Sequence, residues 1–94
     1  MLKDQIINAG NIEAVVIEVK ESSVKLKFNK IEWKQFAKHI YVGDEVEFKK
    51  IEGWDSLDLY IVPQSSPSDR YPRGGGQIQL YVYKNGSYSF DLDS

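Results

Sequence analysis

The sequence predicts a small, mainly β domain with one short helix and an added C-terminal β-hairpin. Three observations carry this. Apolar residues alternate at period two through most of the chain, one segment alone changes to helical spacing, and an Asn-Gly pair separates the last two alternating runs. With 94 residues the chain forms one domain, 1–94, with a modest core.

In "EAVVIEVKESSVKLKF" the alternation places Val15, Ile17 and Val19 on one face. It does the same for Val24, Leu26 and Phe28 after the polar "KESS". This reads as a hairpin of two half-buried strands, with Lys25 and Lys27 on the outer side beside Glu18 and Lys20. In "NKIEWKQFAKHI", Trp33, Phe36, Ala37 and Ile40 follow i, i+3, i+4, i+7 spacing, which predicts a helix from about Lys30 to Lys38. Asn29 stands as its N-cap and Glu32 completes a capping-box pattern. Lys30, Lys34 and Lys38 then recur along its solvent side.

Gly43-Asp44 predicts a turn into a strand with Val46 and Phe48 facing in. "EGWDS" predicts another turn, and "LDLYIV" a strand with Leu57, Leu59 and Ile61 on one side, ended by Pro63. "PQSSPSDRYPRGGGQ", residues 63–77, lacks periodicity and holds all the prolines and three consecutive glycines, so a flexible loop is expected there. Residues 78–92 then read as a hairpin about Asn85-Gly86. A two-residue turn pairs Tyr83 with Tyr88 and Tyr81 with Phe90, and puts those four aromatics on one face, with Ile78, Leu80 and Val82 on the other. The sequence leaves open which face turns inward.

The stretches "GNIEAVVIEVKESSVKLKF" and "YVGDEVEFKKIEGWDSLDLYIV", within residues 10–62, resemble a small OB-type barrel. They are similar to the RNA-binding repeat of the largest protein of the small ribosomal subunit and, more distantly, to cold-shock domains. The most specific shared element is Val42-Gly43-Asp44-Glu45-Val46. The resemblance implies an OB-like barrel core over 10–62 and nucleic-acid binding as a common use of such barrels. It does not carry over the family's contact residues: of its aromatics on the second and third strands only Phe28 has a counterpart here, and alternation turns Phe28 to the core, while His39 has no matching stretch around it.

Composition excludes several function classes. There is no cysteine, which removes disulfides, thiol catalysis and thiolate metal sites, and a cytoplasmic location is the expectation. No apolar run approaches the roughly 18 residues of a membrane span. His39 is the only histidine and has no nucleophile signature around it. Asp44, Glu45 and Glu47, and the pair Asp91 and Asp93, lack the spacing of a cation loop. Gly74, Gly75 and Gly76 are not followed by the Lys-Ser/Thr of a phosphate loop. The chain therefore reads as non-enzymatic, with no cofactor and no metal.

The formal net charge is −2, so the whole chain is not drawn to a polyanion. Lysines outnumber acids between Lys20 and Lys50, however, and acids outnumber bases after Ile51. The leading expectation is a single-stranded nucleic-acid-binding module that uses Lys25, Lys27, Lys34 and Lys38 with exposed aromatics. Arg70, Tyr71 and Arg73 in the loop and Tyr81, Tyr83 and Tyr88 in the hairpin complete the contact set. The alternative is a small protein-binding regulator or inhibitor, of the kind a phage or mobile element encodes, acting through the Tyr-rich hairpin and the Arg loop. A homodimer through the C-terminal hairpin is a variant of that second reading.

Overall fold

In a computed structural model of the protein, residues 1–63 and 78–92 are described. The chain is mainly β, and seven strands form a nearly closed barrel. The strands are β1 (Ile6–Asn8), β2 (Ile12–Val19), β3 (Ser23–Ile31), β4 (Glu45–Ile51), β5 (Leu57–Ile61), β6 (Ile78–Tyr83) and β7 (Tyr88–Leu92). Each pairs antiparallel with its neighbours in sequence, so the sheet is an up-and-down meander. The Greek-key crossover that characterises an OB barrel is not among the described pairings.

The core is organised by phenylalanine. Phe28 of β3, Phe36, Phe48 of β4 and Phe90 of β7 are buried in one cluster, and Phe90 lies 5.5 Å from Phe28, 5.6 Å from Phe36 and 6.2 Å from Phe48 between ring centroids. The rings meet tilted or edge-on, the arrangement their quadrupoles favour. Ile7, Ile12, Val16, Leu26, Ile40, Ile78 and Leu80 fill the remainder of the interior.

Several expectations are corrected by this packing. The segment from Lys30 is not a helix. β3 continues through Ile31, and only Phe36–Lys38 forms a turn of 3-10 helix, with no side-chain cap. The apolar spacing still identified the inward side, because Phe36 and Ile40 are fully buried and Trp33 stacks on Phe36 at 5.7 Å. One turn suffices to deliver those side chains. Asn29 is instead the extra residue of a bulge in β3, since Glu13 pairs with Lys30 and Ala14 with Phe28.

The phase of β2 is also reversed. Ile12, Ala14 and Val16 are buried, while Val15 and Ile17 are half-exposed and Val19 is exposed. Ala14–Ile17 is apolar in both phases, so alternation alone cannot choose between them. Packing chooses the phase that sets small Ala14 opposite Phe28, and a second bulge at Ile17 then shifts the register. In β5 it is Tyr60, followed by Val62, that shares the interior with Leu80, and Leu59 and Ile61 turn outward.

The final hairpin has a three-residue loop, Lys84–Gly86, rather than a two-residue one. The Gly86 N–H donates to the Tyr83 carbonyl at 3.0 Å, and the Tyr83 N–H to the Ser87 carbonyl at 3.0 Å. Gly86 has φ +90° while Asn85 does not reach positive φ, which is a type I turn closed by a left-handed glycine. The Asn85 side chain accepts from the Ser87 N–H at 3.0 Å and the Ser87 hydroxyl at 2.7 Å, holding this loop. The pairs become Leu80 with Phe90, Tyr81 with Ser89 and Val82 with Tyr88. A one-residue slip exchanges the faces of one strand relative to the other. The four aromatics therefore do not share a face: Tyr88 and Phe90 turn toward the core with Ile78, Leu80 and Val82, and Tyr81 and Tyr83 turn outward.

Removing a ring from the cluster should be costly, and removing the supposed cap should not. Phe90→Ala is expected to lower stability by about 3–5 kcal/mol, the range for truncating a buried aromatic. Asn29→Ala, on an exposed bulge, should stay within about 0.5 kcal/mol. Urea denaturation of both variants checks the contrast.

Candidate binding surfaces

The barrel carries two different outer faces. On β2, β3 and β4 the outward side chains form a ladder of mixed charge. Lys25 lies between Glu18 and Glu47, and Lys27 lies between Val15 and Glu45. The Lys20 ammonium approaches Glu47 at 3.0 Å and Glu18 at 3.3 Å. Those hydrogen bonds raise the Lys20 pKa above the ordinary lysine value. The hydrogen bond from Lys20 lowers the Glu47 pKa, partly opposed by desolvation. Each lysine predicted on this face thus has a carboxylate as a cross-strand neighbour. Lys34 and Lys38 lie apart from that ladder, both exposed, Lys34 just before the helical turn and Lys38 at its end.

On β4, β5 and β6 the outer face is apolar and aromatic. Ile51 pairs with Leu59, Leu59 with Tyr81, and Tyr81 with Ser89, which makes one transverse row. Leu57 pairs with Tyr83 in the next row, and on the other side Ile61 lies between the polar residues Lys49 and Gln79. The Tyr81 and Tyr83 rings stack with centroids 6.5 Å apart and planes 29° apart, and the Tyr81 hydroxyl donates to Gln79 Oε1 at 2.6 Å. Ile51 remains 39% exposed, and Leu59, Ile61, Tyr81 and Tyr83 are half-buried.

The β4–β5 connection folds over one end of this face. The Leu57 N–H donates to the Trp54 carbonyl at 3.1 Å, and Leu57 is buried although it lies on the outer phase. Gly53 allows this approach: a Cβ there would meet the Leu57 carbonyl oxygen at 2.9 Å and its Cδ1 at 3.0 Å. The fold leaves Trp54 at the tip 77% exposed, the most exposed large apolar side chain among the described residues. Charges stand on the opposite phase, where Asp58, paired with Val82, approaches Lys50 at 3.7 Å and Lys84 at 3.8 Å.

Of the predicted contact residues, Lys25 and Lys27 share the charged face and Tyr81 and Tyr83 share the apolar one. Tyr88 is not with them. It turns inward, half-buried, and its hydroxyl accepts a hydrogen bond from Gln5 Nε2. Arg70, Tyr71 and Arg73 lie outside the described residues. Sequence reasoning missed Ile51, Trp54 and Leu59. A tryptophan in the otherwise polar turn "EGWDS" was the available signal for the second of these. Tyr41 and Val42, at the tip of the turn before β4, make a smaller exposed apolar spot. No helix among the described residues is long and apolar enough to cross a membrane. Compared with known proteins, the chain matches no family model, no curated protein and no solved structure.

The two tryptophans should differ sharply toward an ionic quencher. In single-tryptophan variants, the fluorescence of Trp54 is expected to be quenched readily by iodide, and that of Trp33 much less. Weak quenching of Trp54 would place it in a packed environment and remove it from the outer face.

Proposed function

We propose that the protein is a non-enzymatic protein-binding module whose partner docks on the outer face of β4–β6. The observation that carries this reading is the continuous row Ile51, Leu59 and Tyr81, with Tyr83 stacked beside it and Trp54 exposed at its end. Contiguous apolar surface of this kind is kept small on monomeric proteins unless it serves as a contact. Tryptophan and tyrosine supply much of the energy at protein interfaces, because each gives a large rigid area with few rotors to order.

The charge pattern supports a protein over a nucleic acid. Binding to a phosphate backbone draws on a groove of one sign that releases counterions. On β3, Lys25 and Lys27 are interleaved with Glu18, Glu45 and Glu47, so phosphates approaching these two lysines also approach carboxylates. Beside the apolar row, Lys49 pairs with Ile61 on the outer phase, and the Lys50–Asp58–Lys84 contacts lie on the opposite phase. A single lysine at the margin suits the edge of a protein interface, where charges tune partner choice more than affinity.

A photo-crosslinking side chain, p-benzoylphenylalanine, placed at Trp54, Tyr83 or Lys27 in the protein's native cells tests this. Adducts to another protein are expected from the Trp54 and Tyr83 positions and not from Lys27. Leu59→Ser should then weaken that partner's binding by about 1–2 kcal/mol, as for a buried contact. Nuclease-sensitive adducts, or protein adducts from Lys27 alone, would overturn the reading and return weight to the charged face.

A further inference from the structure

We propose that the seam between β1 and β7 receives an extended strand of another polypeptide, which pairs its backbone with Tyr88 and Phe90 of β7. The argument is independent of the outer face of β4–β6. β1 and β7 end the strand order and are not paired with each other. Successive antiparallel pairings through seven strands make these two edges run parallel. One further strand, antiparallel to both, fits the meander pattern and continues β7 in the stronger ladder geometry.

The register fixes which backbone groups face the seam. The Tyr83 N–H bonds to the Ser87 carbonyl, so in β7 the groups of Ser89 and Asp91 turn toward β6. Those of Tyr88, Phe90 and Leu92 turn away. The Leu92 N–H is taken by the Asp91 carboxylate at 2.8 Å. The N–H and C=O groups of Tyr88 and Phe90 have no partner among the described residues. Phe90 is only 7% exposed, so water serves its backbone poorly, and an unpaired backbone group in such a place is costly. The sequence of β7, "YSFDL", also lacks the lysine or proline that commonly blunts a free edge.

The core is thinly covered along the same seam. Met1 and Ala9 near β1, and Tyr88 and Leu92 in β7, pack on the core yet stay only partly buried. An incoming strand with apolar residues at alternate positions would complete that cover. Its outward residues meet Ser89 and Asp91, so a lysine or arginine is favoured beside Asp91. The Gln5–Tyr88 hydrogen bond spans the seam and opens as the strand enters.

Amide exchange on the isotope-labelled full chain tests this. In the free protein, the Ser89 and Asp91 amides should exchange slowly and those of Tyr88 and Phe90 fast. A panel of capped six-residue peptides, with Val, Ile, Leu or Phe alternating with Lys, Ser or Thr, is then added. At a concentration ten times its Kd, a binding member should slow the Tyr88 and Phe90 amides by about tenfold. The same peptide N-methylated at alternate residues should lose that effect. Slow exchange at Phe90 in the free protein would show the seam already closed and overturn the proposal. So would a panel that leaves Tyr88 and Phe90 unprotected, or one that acts only on Leu59 and Tyr81.

Discussion

The meeting of four phenylalanine rings is the constraint on which the remainder of the structure depends. β3, the helical turn, β4 and β7 each contribute one ring, and Phe90 touches the other three. Phe28, Phe36 and Phe48 come from consecutive elements and Phe90 from the far end of the chain, so the cluster ties the phase of β7 to those of β3 and β4. Truncating one ring leaves a cavity that a barrel of this size cannot easily close. The cost of turning Phe90 outward explains why the last hairpin takes a three-residue loop. With Phe90 opposite Leu80, the outward positions of β6 fall to Gln79, Tyr81 and Tyr83. A core requirement thus decides which aromatics the protein presents on its surface.

The two outer faces have different energetic characters. The ladder on β2–β4 carries exposed ion pairs from Lys20 to Glu18 and Glu47, each weak in water and weakened further by salt. It contributes little to the fold and leaves no one-sign surface. The row on β4–β6 keeps apolar area in contact with water, an unfavourable arrangement of roughly 25 cal/mol for each Å² that a partner could cover. The loop through Gly53 covers Leu57 but carries Trp54 outward. The fold therefore concentrates uncompensated apolar surface on β4–β6, apart from Lys25 and Lys27.

Much of the fold was legible in the sequence because period two is a strong signal where one phase is clearly polar. Val24, Leu26 and Phe28 alternate with lysines, and all three are buried. Val46 and Phe48 alternate with glutamates and are buried too. The signal fails where both phases are apolar, as in Ala14–Ile17 and Leu57–Val62. There the choice is made by partners distant in the chain, and by bulges that alternation does not encode. The short β1 gave no alternation to read. The helical spacing of Trp33, Phe36, Ala37 and Ile40 was real, yet a single turn could satisfy it. At the candidate site, Tyr81 and Tyr83 were identified from the sequence, but their neighbours Ile51 and Leu59 required the phase of β5. Asn-Gly suggested a two-residue turn, and the next glycine conformation, rather than the asparagine, determined the loop.

Nuclear Overhauser contacts between α-protons in the last hairpin test the central claim most directly. Close α-proton pairs occur across the non-hydrogen-bonded positions of an antiparallel ladder, where the strands approach most nearly. With Phe90 held in the core, those contacts join Val82 to Tyr88 and Leu80 to Phe90. Contacts joining Tyr83 to Tyr88 and Tyr81 to Phe90 would instead place the four aromatics on one face and contradict the account.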